Sequence, residues 1–180
     1  PPAGARTNMN LLKTSLIATA LIAAGVIAAP SQAAGTDTAN FEVKITITES
    51  CDIHTVAPTN IDFGSHARST GAPVTQTGTI TVKCSTGTPY TIGLNGSAHS
   101  TGSTTSPVAG ERRMANGVVL LPYDLYRNAG FTDFWGNTTG SLQAGTGNAS
   151  NQPYTVYGRV PSTDFPAGTY IDSVTATITY

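Results

Sequence analysis

The side chains that most often carry out chemistry in proteins are few and scattered in this sequence. Its three histidines, His54, His66 and His99, show neither an H-E-x-x-H nor an H-x-H spacing and do not form a metal-binding motif. No serine lies in a G-x-S-x-G or S-x-x-K motif, and the spacing of Asp124 and Asp133 does not identify a glycosidase. We therefore expect no catalytic residue, no metal ion and no cofactor, and a protein that is not an enzyme.

The composition favours a single all-β domain. Charged residues make up 11% of the 180 residues, where about 25% is usual, and 30 Thr, 14 Ser and 19 Gly supply most of the polarity. Nine basic and ten acidic residues nearly balance, so the chain lacks the positive charge that nucleic-acid binding requires. A hydrophobic share of 39% is enough for a packed core.

Residues 9–33 have the pattern of a secretory signal peptide. A short basic start from Met9 is followed by the apolar run 16–29, and Ser31 and Ala33 fit the preference of signal peptidase for small residues. The run is shorter than the roughly 20 apolar residues of a spanning helix, although an anchor or a buried helix is the alternative. We expect export, a mature chain from Ala34 that does not insert in a membrane, and an upstream extension at 1–8.

The exported chain contains two cysteines, Cys51 and Cys84. An oxidising compartment favours a disulfide between them, and no C-x-x-C spacing points to a redox role. We predict a structural disulfide, which typically stabilises a small secreted domain by about 2 to 5 kcal/mol.

Alternation of apolar and polar residues predicts β-strands along the rest of the chain. Segments 79–84, 91–94 and 154–159 alternate in this way, and turn-forming residues separate them. We expect about seven strands in one antiparallel β-sandwich, with the polar, Gly-rich stretches 97–110 and 136–151 as surface loops. The C-terminal segment places the following side chains on its core face: Tyr170, Asp172, Val174, Ala176, Ile178 and Tyr180.

Another alternating segment follows the polar lead of the mature chain. Its apolar side chains are Phe41, Val43, Ile45 and Ile47, and the residues between them are polar. Such a strand can pair within its own domain, or it can complete the sheet of the next copy by β-strand addition. The residue pattern leaves both arrangements open.

Aromatic residues are concentrated between Tyr123 and Trp135. These rings could stack against sugars, which would make the chain a secreted, monomeric carbohydrate-binding module, or they could pack in the core. Because the sequence has one tryptophan, we favour packing.

Taken together, several short motifs resemble the spore coat protein U domain family, which includes the pilins of archaic (Csu-type) chaperone-usher pili. They occur in a characteristic order around the two cysteines and extend over nearly all of residues 40–180. The motifs are FEVKITI at 41–47, IDFG at 61–64, ITVKC at 80–84, YTIGL at 90–94, YDLY at 123–126, WG at 135–136, TVYGRV at 155–160 and PAGTYIDSV at 166–174.

The resemblance implies an incomplete immunoglobulin-like antiparallel β-sandwich that is completed by donor-strand exchange. Residues 34–48 would form the donor segment and residues 49–180 the sandwich domain. The donor side chains would be Phe41, Val43, Ile45 and Ile47. The C-terminal strand of the acceptor groove would offer Tyr170, Val174, Ala176, Ile178 and Tyr180.

The partners implied by the resemblance are a periplasmic chaperone, an outer-membrane usher, further copies of the same chain and a tip adhesin. The chain would travel through the periplasm to the cell surface and form a fibre for adhesion and biofilm formation. Some relatives are spore or cell coat proteins, so a coat component is the alternative within the family.

Overall fold

A computed structural model describes residues 35–180 of the chain. The predicted extension at 1–8, the predicted signal peptide at 9–33 and the predicted first mature residue, Ala34, lie outside the described residues. The chain divides into two units, Pro1–Lys44 and Ile45–Tyr180. The described part of the first unit is exposed and has no regular secondary structure.

The second unit contains nine strands, all of whose pairings are antiparallel, as the sequence predicts. One sheet has the order β1-β2-β8-β6, a second has the order β7-β3-β9, and β4 and β5 form a hairpin. The strands are β1 Cys51–Asp52, β2 Val74–Cys84, β3 Pro89–Leu94, β4 Arg113–Asn116, β5 Val119–Pro122, β6 Asp124–Tyr126, β7 Gln143–Thr146, β8 Gln152–Val160 and β9 Ala176–Thr179.

The core lies on the faces that the alternation predicts. In β2, Ile80, Val82 and Cys84 are buried on one face, because side chains along a strand alternate between its two faces. Ile92 and Leu94 of β3 are buried as well. The other buried apolar side chains are Ile53, Tyr90, Leu121, Tyr123, Leu125, Trp135, Val156 and Val160.

Two glycines in the paired strands β2 and β8 make room for an irregular segment on the core face. A Cβ atom at Gly78 would lie 2.7 Å from Cγ1 of Ile61, and one at Gly158 would lie 2.9 Å from Cζ of Phe63. Ile61 and Phe63 are therefore packed against the core although residues 53–73 contain no strand.

Cys51 and Cys84 are directly opposite each other in the pairing of β1 with β2, and a disulfide joins them. The sequence prediction of this bond is confirmed.

Four sequence expectations differ from the structure. The described residues contain nine strands, where about seven are expected. Residues 41–47 form no strand, because no strand of the described residues pairs with them. The stretch 136–151, expected to be a loop, contains β7, whose sequence QAGT lacks an apolar alternation. The C-terminal segment is shorter as a strand than its pattern, since only Ala176–Thr179 is regular and Ile171 adds an isolated bridge to Ala115.

Candidate assembly site

A row of large apolar side chains in the segment 41–47 is exposed. Phe41, Val43, Ile45 and Ile47 are 82 to 86% exposed, and no described residue between 35 and 50 is in a strand. Burying a side chain of this size is worth about 1.5 to 3 kcal/mol. Four such side chains at every second position form a surface that fits one face of a β-sheet.

The C-terminal segment shows the complementary pattern. Its even-numbered residues from Tyr170 to Ile178 are half-buried, whereas the odd-numbered residues from Ile171 to Thr179 are exposed. Tyr170, Val174, Ala176 and Ile178 pack against the buried core. Tyr180, the last residue, is 59% exposed. We call the even-numbered residues 170–180 the C-terminal row.

The C-terminal segment is paired along one side. Ile171 and Ala115 exchange two backbone hydrogen bonds, the Asn95 N–H donates to the Thr175 carbonyl at 3.0 Å, and β9 pairs with β3. Because residues of an antiparallel strand direct their backbone groups alternately to its two sides, the N–H and C=O groups of Ala176 and Ile178 in β9 face the other edge. Within residues 35–180 no strand pairs with that second edge.

Partly exposed apolar side chains that touch the core extend beyond this segment. Solvent still reaches these side chains, although they pack against the buried core. They come from both sheets and from the irregular segments: Cys51, Ile61, Phe63, Val74, Met114, Tyr154, Phe165, Tyr170, Val174, Ala176 and Ile178.

An open cleft of about 670 Å³ adjoins the C-terminal row at Tyr170. Its apolar lining includes Ile61, Phe63, Met114 and Phe165, while Asp62, His66, Arg68 and Thr163 contribute polar groups. The other members of the predicted acceptor set, Val174, Ala176, Ile178 and Tyr180, do not line this cleft.

The half-buried carboxylate of Asp172 interrupts the apolar C-terminal row, and a second partly buried carboxylate, Asp124, follows Tyr123 in the chain. The Tyr123 hydroxyl donates a hydrogen bond to the Asp172 carboxylate, and the Gly110 N–H donates to both oxygens of Asp124 at 2.9 and 3.0 Å. Burial raises the pKa of the Asp172 carboxyl, an effect that the hydrogen bond from Tyr123 opposes. Burial likewise raises the pKa of Asp124.

Arg112, whose role the sequence analysis does not identify, is fully buried. Its Nε donates to the Asn95 carbonyl at 3.0 Å, and its Nη2 donates to the carbonyls of Leu94 and Trp135, each at 2.9 Å. Arg112 thus ties the end of β3 to the segment after β6. A single Arg-Arg dipeptide in a weakly charged sequence was the only available signal.

The aromatic stretch contributes its largest rings to the core. Trp135 is 1% exposed, its Nε1 donates to the Ile92 carbonyl at 3.0 Å, and Tyr123 is 5% exposed. Tyr126 packs edge to face against Phe131 and Phe134. Trp135 and Tyr123 therefore pack in the core, as the favoured interpretation of the aromatic stretch predicts.

The candidate chemical residues remain apart. His54 is exposed beside Asp52, and a ring nitrogen of His66 contacts the Phe63 carbonyl oxygen at 2.6 Å. Among the described residues, no three His, Cys, Asp or Glu side chains are grouped so that they could hold a metal ion. The same part of the chain has no helix of the length and apolarity needed to cross a membrane.

Comparison with known proteins relates most of the chain to one family. Residues 37–177 match the family model described as Spore Coat Protein U domain. Protein U of Myxococcus xanthus is 33% identical over 180 residues, which cover 96% of this chain and 100% of that protein.

A solved structure shows the same fold. It is the CsuC-CsuE chaperone-tip adhesion subunit pre-assembly complex from the archaic chaperone-usher Csu pili of Acinetobacter baumannii. One of its chains matches with a TM-score of 0.50 and 24% identity, over 75% of this chain and 40% of that chain. This chain thus spans less than half of the solved chain, and the likeness confirms the immunoglobulin-like β-sandwich.

Proposed function

The chain belongs to the Spore Coat Protein U domain family, and from this premise we propose that it is a pilin that polymerises by donor-strand complementation. The family is structural rather than enzymatic. The proposed subunit consists of a donor segment at 34–48 and an acceptor domain at 49–180.

One observation carries the proposal: a single chain has both an exposed apolar row at 41–47 and an open sheet edge beside a half-buried apolar row. From Phe41 to Ile47 an extended segment spans roughly 20 Å, and the four positions from Val174 to Tyr180 span the same length. Donor residues at every second position therefore match acceptor residues at every second position. Pairing would also give hydrogen-bond partners to the free backbone groups of β9.

The same features explain why such a subunit would need partners before assembly. An open edge beside exposed apolar side chains promotes aggregation. A periplasmic chaperone that lends a strand would cover this edge, an outer-membrane usher would exchange that strand for the donor of the next copy, and a tip adhesin would end the fibre. The route leads through the periplasm to the cell surface, where the fibre would support adhesion and biofilm formation.

A coat component is the second candidate. It is favoured by the full-length match with Protein U and by the family description. The same strand exchange would assemble a coat, so the two candidates differ in where the polymer is found. Gold-labelled antibody on intact cells and on spores distinguishes thin surface fibres from a continuous layer. A monomeric carbohydrate-binding module is less favoured, since Trp135 and Tyr123 are buried.

Deletion of residues 34–47 tests the proposal. We expect the truncated chain to accumulate as a chaperone-bound subunit and to yield no fibres, because it can accept a donor strand but cannot offer one. Fibres are measured as surface material sheared from cells and run on gels with and without boiling. The control carries E42Q and K44Q, which leave the apolar row intact, and should assemble normally. Normal fibres from the truncated chain, or loss of the folded subunit, would contradict the proposal.

A further inference from the structure

The donor row, which consists of Phe41, Val43, Ile45 and Ile47, is separated from the sandwich by only three residues. Ile47 is followed by Thr48, Glu49 and Ser50, and Cys51 is the first residue of β1. Three residues extend over about 10 Å at most. Any tension along a fibre that reaches a subunit through its donor segment therefore arrives at Cys51.

The chain directly beyond Cys51 has few backbone hydrogen bonds to resist tension, although exposed side-chain bonds and the packing of Ile61 and Phe63 also hold it. β1 has two residues, and residues 53–73 contain no strand. Two backbone hydrogen bonds connect 53–73 to the rest of the described chain: the Thr59 N–H to the Thr79 carbonyl at 3.0 Å and the Thr163 N–H to the Ser69 carbonyl at 3.1 Å. β2, in contrast, pairs with β8 over nine residues.

The disulfide provides a shorter covalent route from the donor segment to the acceptor edge. From Cys84 the chain needs only residues 85–88 to reach β3, which is directly paired with β9 of the acceptor edge. The connection is tied to residues 147–149: the Gly87 N–H donates to the Gly147 carbonyl at 2.9 Å, the Gly147 N–H donates to the Thr88 carbonyl at 2.8 Å, and the Ala149 N–H donates to the Cys84 carbonyl at 2.9 Å.

We infer that the Cys51–Cys84 disulfide is a mechanical bypass, which passes tension from the donor segment of one subunit straight to its acceptor edge and keeps residues 52–83 out of the load path. This inference rests on the proposed fibre function. The bypassed loop covers a sequence separation of 33, which corresponds to roughly 110 Å of extended chain. The weakly held part, up to the start of β2 at Val74, corresponds to roughly 75 Å.

Stretching single fibres between beads in an optical trap tests the bypass. The same preparation is pulled before and after treatment with a water-soluble phosphine, which is oxidised to its phosphine oxide as the S–S bond is reduced to two thiols. Because Cys84 is buried, the reductant reaches the disulfide less easily. The fraction of reduced subunits is therefore measured by trapping the thiols with iodoacetamide and by mass spectrometry. We expect reduced fibres to lengthen in steps of roughly 75 Å, with a total near 110 Å per subunit, at forces where oxidised fibres show no such steps.

A variant with both C51S and C84S lacks the disulfide and tests the same point without a reductant. If this variant does not assemble into fibres, the reduced wild-type fibres provide the test. Reduced, alkylated fibres with an unchanged force-extension curve would overturn the bypass, as would oxidised fibres that already show the 75 Å steps. Failure of the wild-type chain to form fibres contradicts the proposed function instead, so the two failures are distinguishable.

Discussion

At the scale of single residues, the fold depends on polar side chains whose partners are far away in sequence. Arg112 binds three carbonyls that belong to residues 17 to 23 positions away, and Tyr123 reaches Asp172 across 49 positions. Such partners depend on the tertiary arrangement, and local patterns do not encode them. The buried faces of β2 and β3 could be predicted, in contrast, since alternation is a local property.

Replacement of Arg112 by methionine should destabilise the domain by about 3 kcal/mol, because three carbonyls, two of them in buried contacts, lose a charged donor. Urea unfolding of the truncated domain bound to a synthetic 36–48 peptide measures the loss. The matched control is R68Q, which breaks an exposed ion pair with Asp164 and should cost less than about 1 kcal/mol. Equal losses in the two variants would show that the Arg112 contacts contribute little.

Asp172 should make stability depend on pH. Its pKa is raised above the ordinary 3.8, so the folded domain binds this proton more tightly, and the free energy of unfolding falls as pH rises through the folded-state value. D172N keeps an acceptor for Tyr123 and should remove this fall, in urea unfolding of the peptide-bound domain from pH 4 to 7. His99, Arg112 and Tyr123 face Asp172 and are unchanged by this substitution.

The control for that measurement is D52N. Hydrogen bonds from Thr55 and His54 lower the pKa of Asp52, so its contribution to stability is lost as pH falls, which is the opposite direction. A D172N profile that is parallel to the wild-type profile would contradict the role assigned to Asp172.

At the scale of elements, the alternation of apolar and polar residues predicted which side chains share a face better than it predicted which segments form strands. The sequence 41–47 has the alternation of a strand but forms none, since a strand also requires a partner edge. β7 forms without an apolar alternation because β3 supplies its partner. Ile61 and Phe63 reach the core only because glycines stand at 78 and 158, a coincidence of three segments that no local pattern reveals.

The donor segment has an apolar face and a polar face, and one substitution on each face tests their different roles. I45D would place an unpaired carboxylate in the acceptor groove at a cost of several kcal/mol, so fibre yield should fall below detection. T46D places the same charge on the opposite face of the same segment and should leave fibre yield within about twofold, given the small effects typical of surface changes. Both variants should show wild-type amounts of chaperone-bound subunit in the periplasm. Equal yields of fibres would refute the assignment of faces.

At the scale of the whole molecule, the proposed fibre uses the sandwich of one copy together with the donor segment of another copy, although each chain contains both. An immunoglobulin-like fold could be inferred from the order of motifs and the two cysteines, and the solved Csu complex chain confirms it. The direction of the donor strand could not be inferred, because alternation is the same in both directions. All strand pairings of the described residues are antiparallel, which favours an antiparallel donor.

Attaching a second copy of residues 36–48 after Tyr180, in a chain that lacks residues 34–47, tests this direction. An antiparallel donor needs only a hairpin turn after β9, whereas a parallel donor needs a crossover of a dozen or more residues. We therefore expect a four-residue linker to give a monomer that folds without a chaperone. The control has the same linker and carries I45D in the attached segment, and it should give no folded monomer. Size-exclusion chromatography and thermal unfolding provide the measurements. A stable monomer that forms only with a linker of about 15 residues would mean that the donor runs parallel to the C-terminal segment.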